Sequence, residues 1–367
     1  MKYSDEYQDK KLAYGLLEKI YEIKFSKKIK LMEVCGTHTM SIYKYGIKNL
    51  ISDIIELISG PGCPVCVTPE VYINKAISLA KNKDIIITTF GDLLRVPANN
   101  SSLLQEMTEG NNIKIVYSPL EAVDIAVDNP DKEVIFLAIG FETTIPTIAL
   151  SVKKAEKLKI ENFNILQSLK IMPPILKQLL YNGDINIDGF ILPGHVSTIL
   201  GFKAFSFLSR NHNIPGVVAG FEPLDIIISI YHLSNMLKNN KADILNLYKR
   251  LVKPQGNQKA LEIINDMFLP VESCWRGIGM IEESGLKLKD KYIKFSAENK
   301  FHIEQQNYKK NDECICGEII IGKKEPFACK LFSKGCTPLK PMGPCMVSRE
   351  GTCSVYYHYR DKERLEN

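Results

Sequence analysis

Eight short apolar runs recur along the first two thirds of the chain: KLMEVC (30–35), IIELISG (54–60), DIIITTF (84–90), IKIVYS (113–118), EVIFLAIG (133–140), NFNILQSL (162–169), GFILPG (189–194) and PGVVAGF (215–221). Each is apolar at consecutive positions, the pattern of a strand covered on both faces. Helical patterns such as PEVYINKAISLAKNK and PPILKQLLYNG lie between many of them. Parallel strands need a crossover long enough to hold a helix, so this alternation predicts an α/β fold of doubly wound, Rossmann-like type. Two phrases, AIGFETT (138–144) and VAGFEPL (218–224), both place Gly-Phe-Glu after an apolar run, and they read as equivalent strand ends in one or two related sheets.

The 367 residues hold material for two or three cores. Changes of texture divide them into an α/β segment 1–125, a second α/β segment 126–235, and a C-terminal segment 236–367 that is mainly helical or irregular. After Pro223 the stretches LDIIISIYHLSNMLKNN, ADILNLYKRLV and QKALEIINDMF carry helical spacing and strand signals thin out. From Cys314 onward six cysteines fall among Gly and Pro with little apolar material, so burial alone would not order the segment and a crosslink is required.

A formal charge of +5 without a dense Lys/Arg stripe argues against nucleic acid as partner. The start MKYSDEYQDKK is too charged for a signal peptide. The most apolar stretch, EVIFLAIGFETTIPTIALSV, is interrupted by Glu142, Pro146 and three threonines, so no membrane span is expected. The expected location is the cytoplasm, where ten cysteines read as metal ligands or redox thiols rather than a disulfide framework.

Four of the chemistry-bearing residues are Cys35 and His38 in CGTHTMSIYKYG and Cys63 and Cys66 in GPGCPVCVTPE. Thr68 followed by Pro69 and Glu70 reads as a helix start, which places Cys66 just ahead of a helix N-terminus. Gly36 permits a tight strand-to-helix turn, with Thr37 or Thr39 as cap, so Cys35 falls at a second one. Unpaired N–H groups and partial positive charge there would lower a thiol pKa below its free value of ~8.5 and suit thiolate chemistry or soft-metal binding. The plainer alternative makes Cys63 and Cys66 half of a zinc site and Cys35 a small buried hydrophobe, yet no second C-x-x-C lies in this half of the chain. Spacing alone leaves His38 between a satisfied core residue and a ligand or proton-transfer role. Asp92, Glu142, Thr143, His195, Ser197 and Glu222 also end expected strands. Each singly is expected to cap the next helix, and together they would line a cleft at the carboxyl ends of the strands.

The second constellation is Cys314-x-Cys316, Cys329, Cys336, Cys345 and Cys353. A four-iron four-sulfur cluster takes four thiolates, which leaves two over. Zinc ribbons use paired C-x-x-C knuckles, and the tail has none.

With CGTHT, GPGCPVC, GFETT, LPGHVS, GFEP and the six-cysteine tail in that order over nearly the whole chain, the sequence closely resembles the HypD family of hydrogenase-maturation proteins. The resemblance implies two α/β domains facing a cleft and a third, cluster-binding domain. It implies a scaffold that works with the small partner HypC, on which the iron of nickel-iron hydrogenase acquires cyanide, delivered by HypE, and carbonyl. On it Cys35, Cys63 and Cys66 match the cysteines associated with that iron, and His38 the histidine beside them. The tail also resembles ferredoxin:thioredoxin reductase. That analogy implies Cys314, Cys329, Cys336 and Cys353 as ligands of a 4Fe-4S cluster and Cys316 with Cys345 as a redox pair. A monomer acting within heterocomplexes is expected. The competing readings are a free-standing iron-sulfur thiol-disulfide oxidoreductase and a zinc-stabilised binding module.

Overall fold

The computed structural model describes residues 9–98, 101–183, 186–303 and 313–359. Its strands are β1 (Ile29–Glu33), β2 (Ile55–Ser59), β3 (Ile85–Thr89), β4 (Ile113–Ile115), β5 (Glu133–Gly140), β6 (Phe163–Lys170), β7 (Gly189–Leu192), β8 (Gly216–Val218), β9 (Ile244–Asn246), β10 (Phe268–Trp275) and β11 (Gly279–Leu288). All eight apolar runs form strands, and they are divided between two sheets. The first has the order β2-β1-β7-β8-β9 and is parallel throughout. The second has the order β10-β11-β6-β5-β3-β4, in which β3 to β6 are parallel and the β10–β11 hairpin adds antiparallel to β6. The expected α/β class is therefore present, in two Rossmann-like sheets.

The strand pattern explains why both sheets are covered on two faces. Leu31, Leu57 and Ile191 point to one core with the helices Lys10–Glu22 and Pro223–Lys238, while Met32, Ile58 and Phe190 point the other way. In the second sheet Val134, Phe136 and Ala138 pack against the helices Pro119–Asp128 and Ile145–Leu158, whereas Ile135, Leu137 and Ile139 face inward. Successive side chains on a strand alternate faces, so an unbroken apolar run supplies two cores at once. The inward faces of both sheets and the C-terminal cysteine segment share one continuous apolar cluster.

The linear division at residues 125 and 235 does not hold. After β2 the chain crosses to build β3 to β6, returns for β7 to β9, and crosses again for β10 and β11. The core around Ala122, Val123 and Ala126 continues into Ile145 and Ile148 across the expected boundary. The segment 236–367 is likewise not a separate, mainly helical unit. ADILNLYKRLV contributes β9, and the hairpin completes the second sheet. β10 escaped notice because it is an edge strand, half exposed and interrupted by Pro270 and Glu272, a position where proline is tolerated. The helices Pro223–Lys238 and Gln258–Met267 stand where their spacing placed them. The two Gly-Phe-Glu phrases do end equivalent strands, β5 in one sheet and β8 in the other.

Candidate functional site

The first sheet gathers its strand-end loops at one edge. β1 runs through Val34 into Cys35, which begins the helix Gly36–Lys44. β2 runs through Gly60-Pro61-Gly62 into Cys63, which caps a single helical turn, Pro64–Val67; a second helix follows from Glu70. The two loops touch: Gly36 N–H donates to the Gly62 carbonyl at 3.3 Å, and a Cβ on Gly62 would stand 2.3 Å from Cys35 N. Glycine at 62 is thus required by the close approach of the two cysteine loops.

Cys63 and Cys66 form a disulfide. Cys66 lies inside the short turn rather than ahead of the longer helix, and Pro69 rather than Thr68 precedes the latter. No side chain caps the helix at Cys35. Thr39 instead donates its hydroxyl to Glu33, which also accepts Cys35 N–H at 3.0 Å. Glu33 is buried at the end of β1, and burial pushes its carboxyl up to about 7. The sequence carried a signal for it, a charged residue inside an otherwise apolar run.

The helix start does not leave Cys35 as an acidic thiol. Burial pushes it up to about 12, with the Glu350 and Glu33 carboxylates adding to the rise against hydrogen bonds from the Thr37 and His38 amides. Desolvation of an anion outweighs a few N–H groups at a single helix end. A bound cation reverses that balance, since a coordinating thiol loses its proton outright.

His38 is fully buried. Its Nε2 lies 2.9 Å from the Gly220 carbonyl oxygen, which can only accept, so Nε2 carries the proton and Nδ1 a lone pair. Nδ1 is buried with no hydrogen-bond partner among the described residues. Burial lowers the imidazole pKa to about 4, so the ring is neutral. It packs on Phe221 at 4.7 Å, and His195 stacks on the same ring at 4.0 Å. Of the other strand-end residues, Glu222 caps its helix in a capping box with Asp225, as expected. Glu142 is buried, accepts Met172 N–H at 2.8 Å through Oε1, and leaves Oε2 without a partner among the described residues; burial pushes it up to about 7. Ser197 is buried with its hydroxyl in the same condition.

The six tail cysteines line one small cavity with Ile319, Leu331, Phe332, Gly343 and Met346. Gly343 sits against two of them, since a Cβ there would meet the Cys314 and Cys316 sulfurs at 2.8 and 3.5 Å. Cys314 and Cys316 share a hydrogen bond that lowers the Cys316 thiol pKa and raises that of Cys314, and Cys353 and Cys345 do likewise, with Cys345 lowered. Cys316 and Cys345, the expected redox partners, are free thiols, and each accepts a hydrogen bond from an expected cluster ligand, Cys314 and Cys353 respectively. The thiols line an apolar space with no carboxylate or imidazole among the lining residues, which is the donor chemistry that an iron-sulfur cluster takes.

Two contacts join this cavity to the cysteine loops. Cys66 Sγ lies 3.9 Å from the Pro344 carbonyl oxygen, one residue before Cys345. Glu350 packs on Gly36 and accepts the Thr37 hydroxyl at 2.5 Å. Sequence reading placed the loops and the tail in different domains; the structure makes them neighbours. No signal in the sequence distinguishes Glu350 or Pro344. Among the described residues no three His, Cys, Asp or Glu side chains are set to hold one metal ion, and the closed disulfide engages two of the three thiols expected to do so.

Fold and site define an α/β protein of two sheets whose strand-end loops and C-terminal tail bring every cysteine except Cys274 into one region. A family model named HypD, described as the hydrogenase formation hypA family, matches residues 11–360. The chain is 43% identical over 368 residues to hydrogenase maturation factor HypD2 of Bradyrhizobium diazoefficiens, covering 98% of this chain and 97% of that one. It is 43% identical over 333 residues to a putative hydrogenase expression/formation protein of Methanocaldococcus jannaschii, covering 91% and 92%. It is 38% identical over 370 residues to hydrogenase maturation factor HypD of Escherichia coli, covering 99% of both. The chain belongs to the HypD family of hydrogenase maturation factors. No helix among the described residues is long and apolar enough to cross a membrane.

Proposed function

We propose that the protein is a scaffold that, with a HypC-type partner, holds a mononuclear iron while cyanide from a HypE-type donor and carbonyl are attached for nickel-iron hydrogenase. The observation that carries this reading is the convergence of three cysteine-bearing segments: the Cys35 loop against the Cys63–Cys66 turn, and that turn against the six-cysteine tail. Iron is the cargo. Cys35 and Cys66 are its proposed donors, with Cys63 either completing the coordination or closing the disulfide with Cys66 when no iron is held.

The residues present determine what loading requires. With two electrons from an external reductant and two protons, the Cys63–Cys66 disulfide becomes two thiols, and only then are the sulfurs of Cys63 and Cys66 free to act as donors with that of Cys35. Cys35, held protonated by burial, loses its proton to water as its sulfur coordinates an arriving cation. His38 offers the lone pair of Nδ1 and is too weakly basic to serve as a strong proton acceptor. Soft thiolates suit low-spin iron, and the amides at two helix starts favour the anionic cyanides.

Cys314, Cys329, Cys336 and Cys353 are the proposed holders of a 4Fe-4S cluster, with Cys316 and Cys345 as a nearby redox pair. Such a cluster supplies single electrons at a potential tuned by its surroundings. The closed disulfide beside this segment also favours a second reading, an iron-sulfur thiol-disulfide oxidoreductase that works alone.

Infrared spectroscopy with iron analysis, on protein purified anaerobically together with its small maturation partner, separates the two. Cyanide and carbonyl stretches with about five irons per complex are expected for one cluster plus one mononuclear site. Four irons without those stretches, in a preparation competent for maturation, would leave the oxidoreductase.

A further inference from the structure

A second cleft, of about 410 Å³, opens between the helix Glu70–Ala80, the end of β6 and the β10–β11 hairpin, and no cysteine of the proposed iron and cluster sites lines it. Lys170, the last residue of β6, does line it and is only 1% exposed. Its placement follows from its cross-strand neighbour. Lys170 pairs with Gly285 of β11, and opposite residues of an antiparallel pair share a face. Because Gly285 has no side chain, that of Lys170 runs over it and donates to the Ser273 hydroxyl on β10. A Cβ at 285 would stand 2.5 Å from Ser273 Cβ and 2.8 Å from Oγ, so glycine there leaves the hydroxyl its place. The Trp275 ring lies 5.9 Å from Lys170 Nζ, and its own Nε1 is fixed by the Ser284 hydroxyl at 2.8 Å.

The lysine is short of partners. An ammonium has three donors; among the described residues Lys170 uses one, on a neutral hydroxyl, and forms no ion pair. Ser273 has no acceptor for its own proton among them either. A buried charge in a native protein is normally matched, because removing it from water without a counter-charge is costly. Burial accordingly lowers the Lys170 pKa from 10.5 to about 8, with the nearby Cys274 opposing the fall.

The walls indicate what would supply the counter-charge. The charged residues lining the cleft are Lys75, Lys170 and Lys287 against Glu272 and Glu298, a balance that one negative charge neutralises and a second would overshoot. Lys75 is already held by Glu298 at 2.6 Å, which leaves Lys170 as the buried cation without an anion. Val71, Val271, Met280 and Leu286 add apolar wall. A cleft of this size, apolar with a few convergent polar groups, is the usual form of a small-molecule site.

We propose that this cleft binds an organic monocarboxylate, its carboxylate held by Lys170 Nζ and Ser273 Oγ and its apolar part lying against Val71, Val271, Met280 and Leu286. The proposal does not rest on the iron reading above.

Isothermal titration calorimetry of the full chain, purified anaerobically, tests it with benzoate, acetate and inorganic phosphate as probes. Benzoate is expected to bind more tightly than acetate, and both more tightly than phosphate. Lys170→Met keeps the apolar stem and removes the donor, and is expected to weaken benzoate at least about tenfold; Ser273→Ala is expected to weaken it about threefold. Lys287→Gln, on the exposed side, is expected to change little. Equal losses in Lys287→Gln and Lys170→Met would mean diffuse attraction by the surface and overturn the proposal, as would phosphate binding most tightly or benzoate giving no saturable heat.

The wild type alone supplies a further check that survives misfolding of any variant. Its affinity for benzoate is expected to fall about tenfold from pH 7 to pH 9, as Lys170 loses its proton through about 8. The other ionisable groups facing the cleft are Tyr72 and Lys75 from the helix, Glu272 and Cys274 from β10, Lys287 from β11, and Glu298. Cys274→Ala with the same profile assigns the fall to the lysine. A flat wild-type profile, or one that disappears in Cys274→Ala, overturns the proposal.

Discussion

Thr37 and Glu350, 313 residues apart in sequence, hydrogen-bond at 2.5 Å and close the tail over the Cys35 loop. The contact works because residue 36 between them and Cys35 is glycine: a Cβ there would lie 2.5 Å from both Cβ and the carbonyl oxygen of Glu350. Docking of the tail and placement of Cys35 are therefore one packing event.

Gly36→Ala is expected to push the tail off the loop. Overpacking of this kind costs about 1–3 kcal/mol. A lower thermal midpoint, together with faster proteolysis between residues 313 and 359, would register it. A variant as protease-resistant as the wild type would show that the tail docks through other contacts.

The loop that accepts His38 is held by a buried ion pair. Arg250 meets Asp225 through both nitrogens, at 2.9 and 2.5 Å, and Asp225 is nearly inaccessible. Arg250→Met strands that carboxylate, so a loss of about 3–5 kcal/mol is expected in urea unfolding. The double variant Arg250→Met, Asp225→Leu is expected to lose less than the single one, because no charge is left buried and unpaired.

Glu142 makes stability depend on pH. Its carboxyl is raised from 4.5 to about 7 in the folded chain by burial. Between those values the unfolded chain releases a proton that the folded chain keeps, so this group's contribution to stability is lost as pH rises through that window. Glu142→Gln removes the effect. Relative to wild type the variant is expected to gain up to about 3 kcal/mol between pH 4 and pH 8; identical pH slopes in urea unfolding would mean that Glu142 is ionised in the fold. His38, lowered from 6.5 to about 4, acts in the opposite sense, losing stability as pH falls, and remains in both proteins.

The proposed split of the tail has its own test. Cys336→Ala is expected to lose the cluster, as read by visible absorbance and iron content, whereas Cys316→Ala keeps four irons. Equal loss in both would overturn the assignment, and the shared proton between Cys314 and Cys316 makes that outcome worth measuring. Cys35→Ala is expected to abolish maturation and leave the cluster spectrum intact.

The sequence by itself determined β1 to β8 as strands, that their sheets are covered on both faces, and which cysteines are candidates for the chemistry. Those are properties of local pattern: a doubly apolar run reads as a buried parallel strand, and glycines around cysteines announce tight turns. Motif order also sufficed to place the chain in its family. Which sheet a strand joins was decided only by tertiary structure, because β2 and β3 look alike as sequences and differ in the partner whose backbone groups they pair with. The same holds for the Cys35 thiol, where helix-end polarity is a local feature and burial a global one, and the global term is larger. Glu350 and Pro344 were invisible beforehand for one reason: each acts through a contact more than 200 residues away, and nothing in the local sequence encodes the close approach that the packed chain imposes.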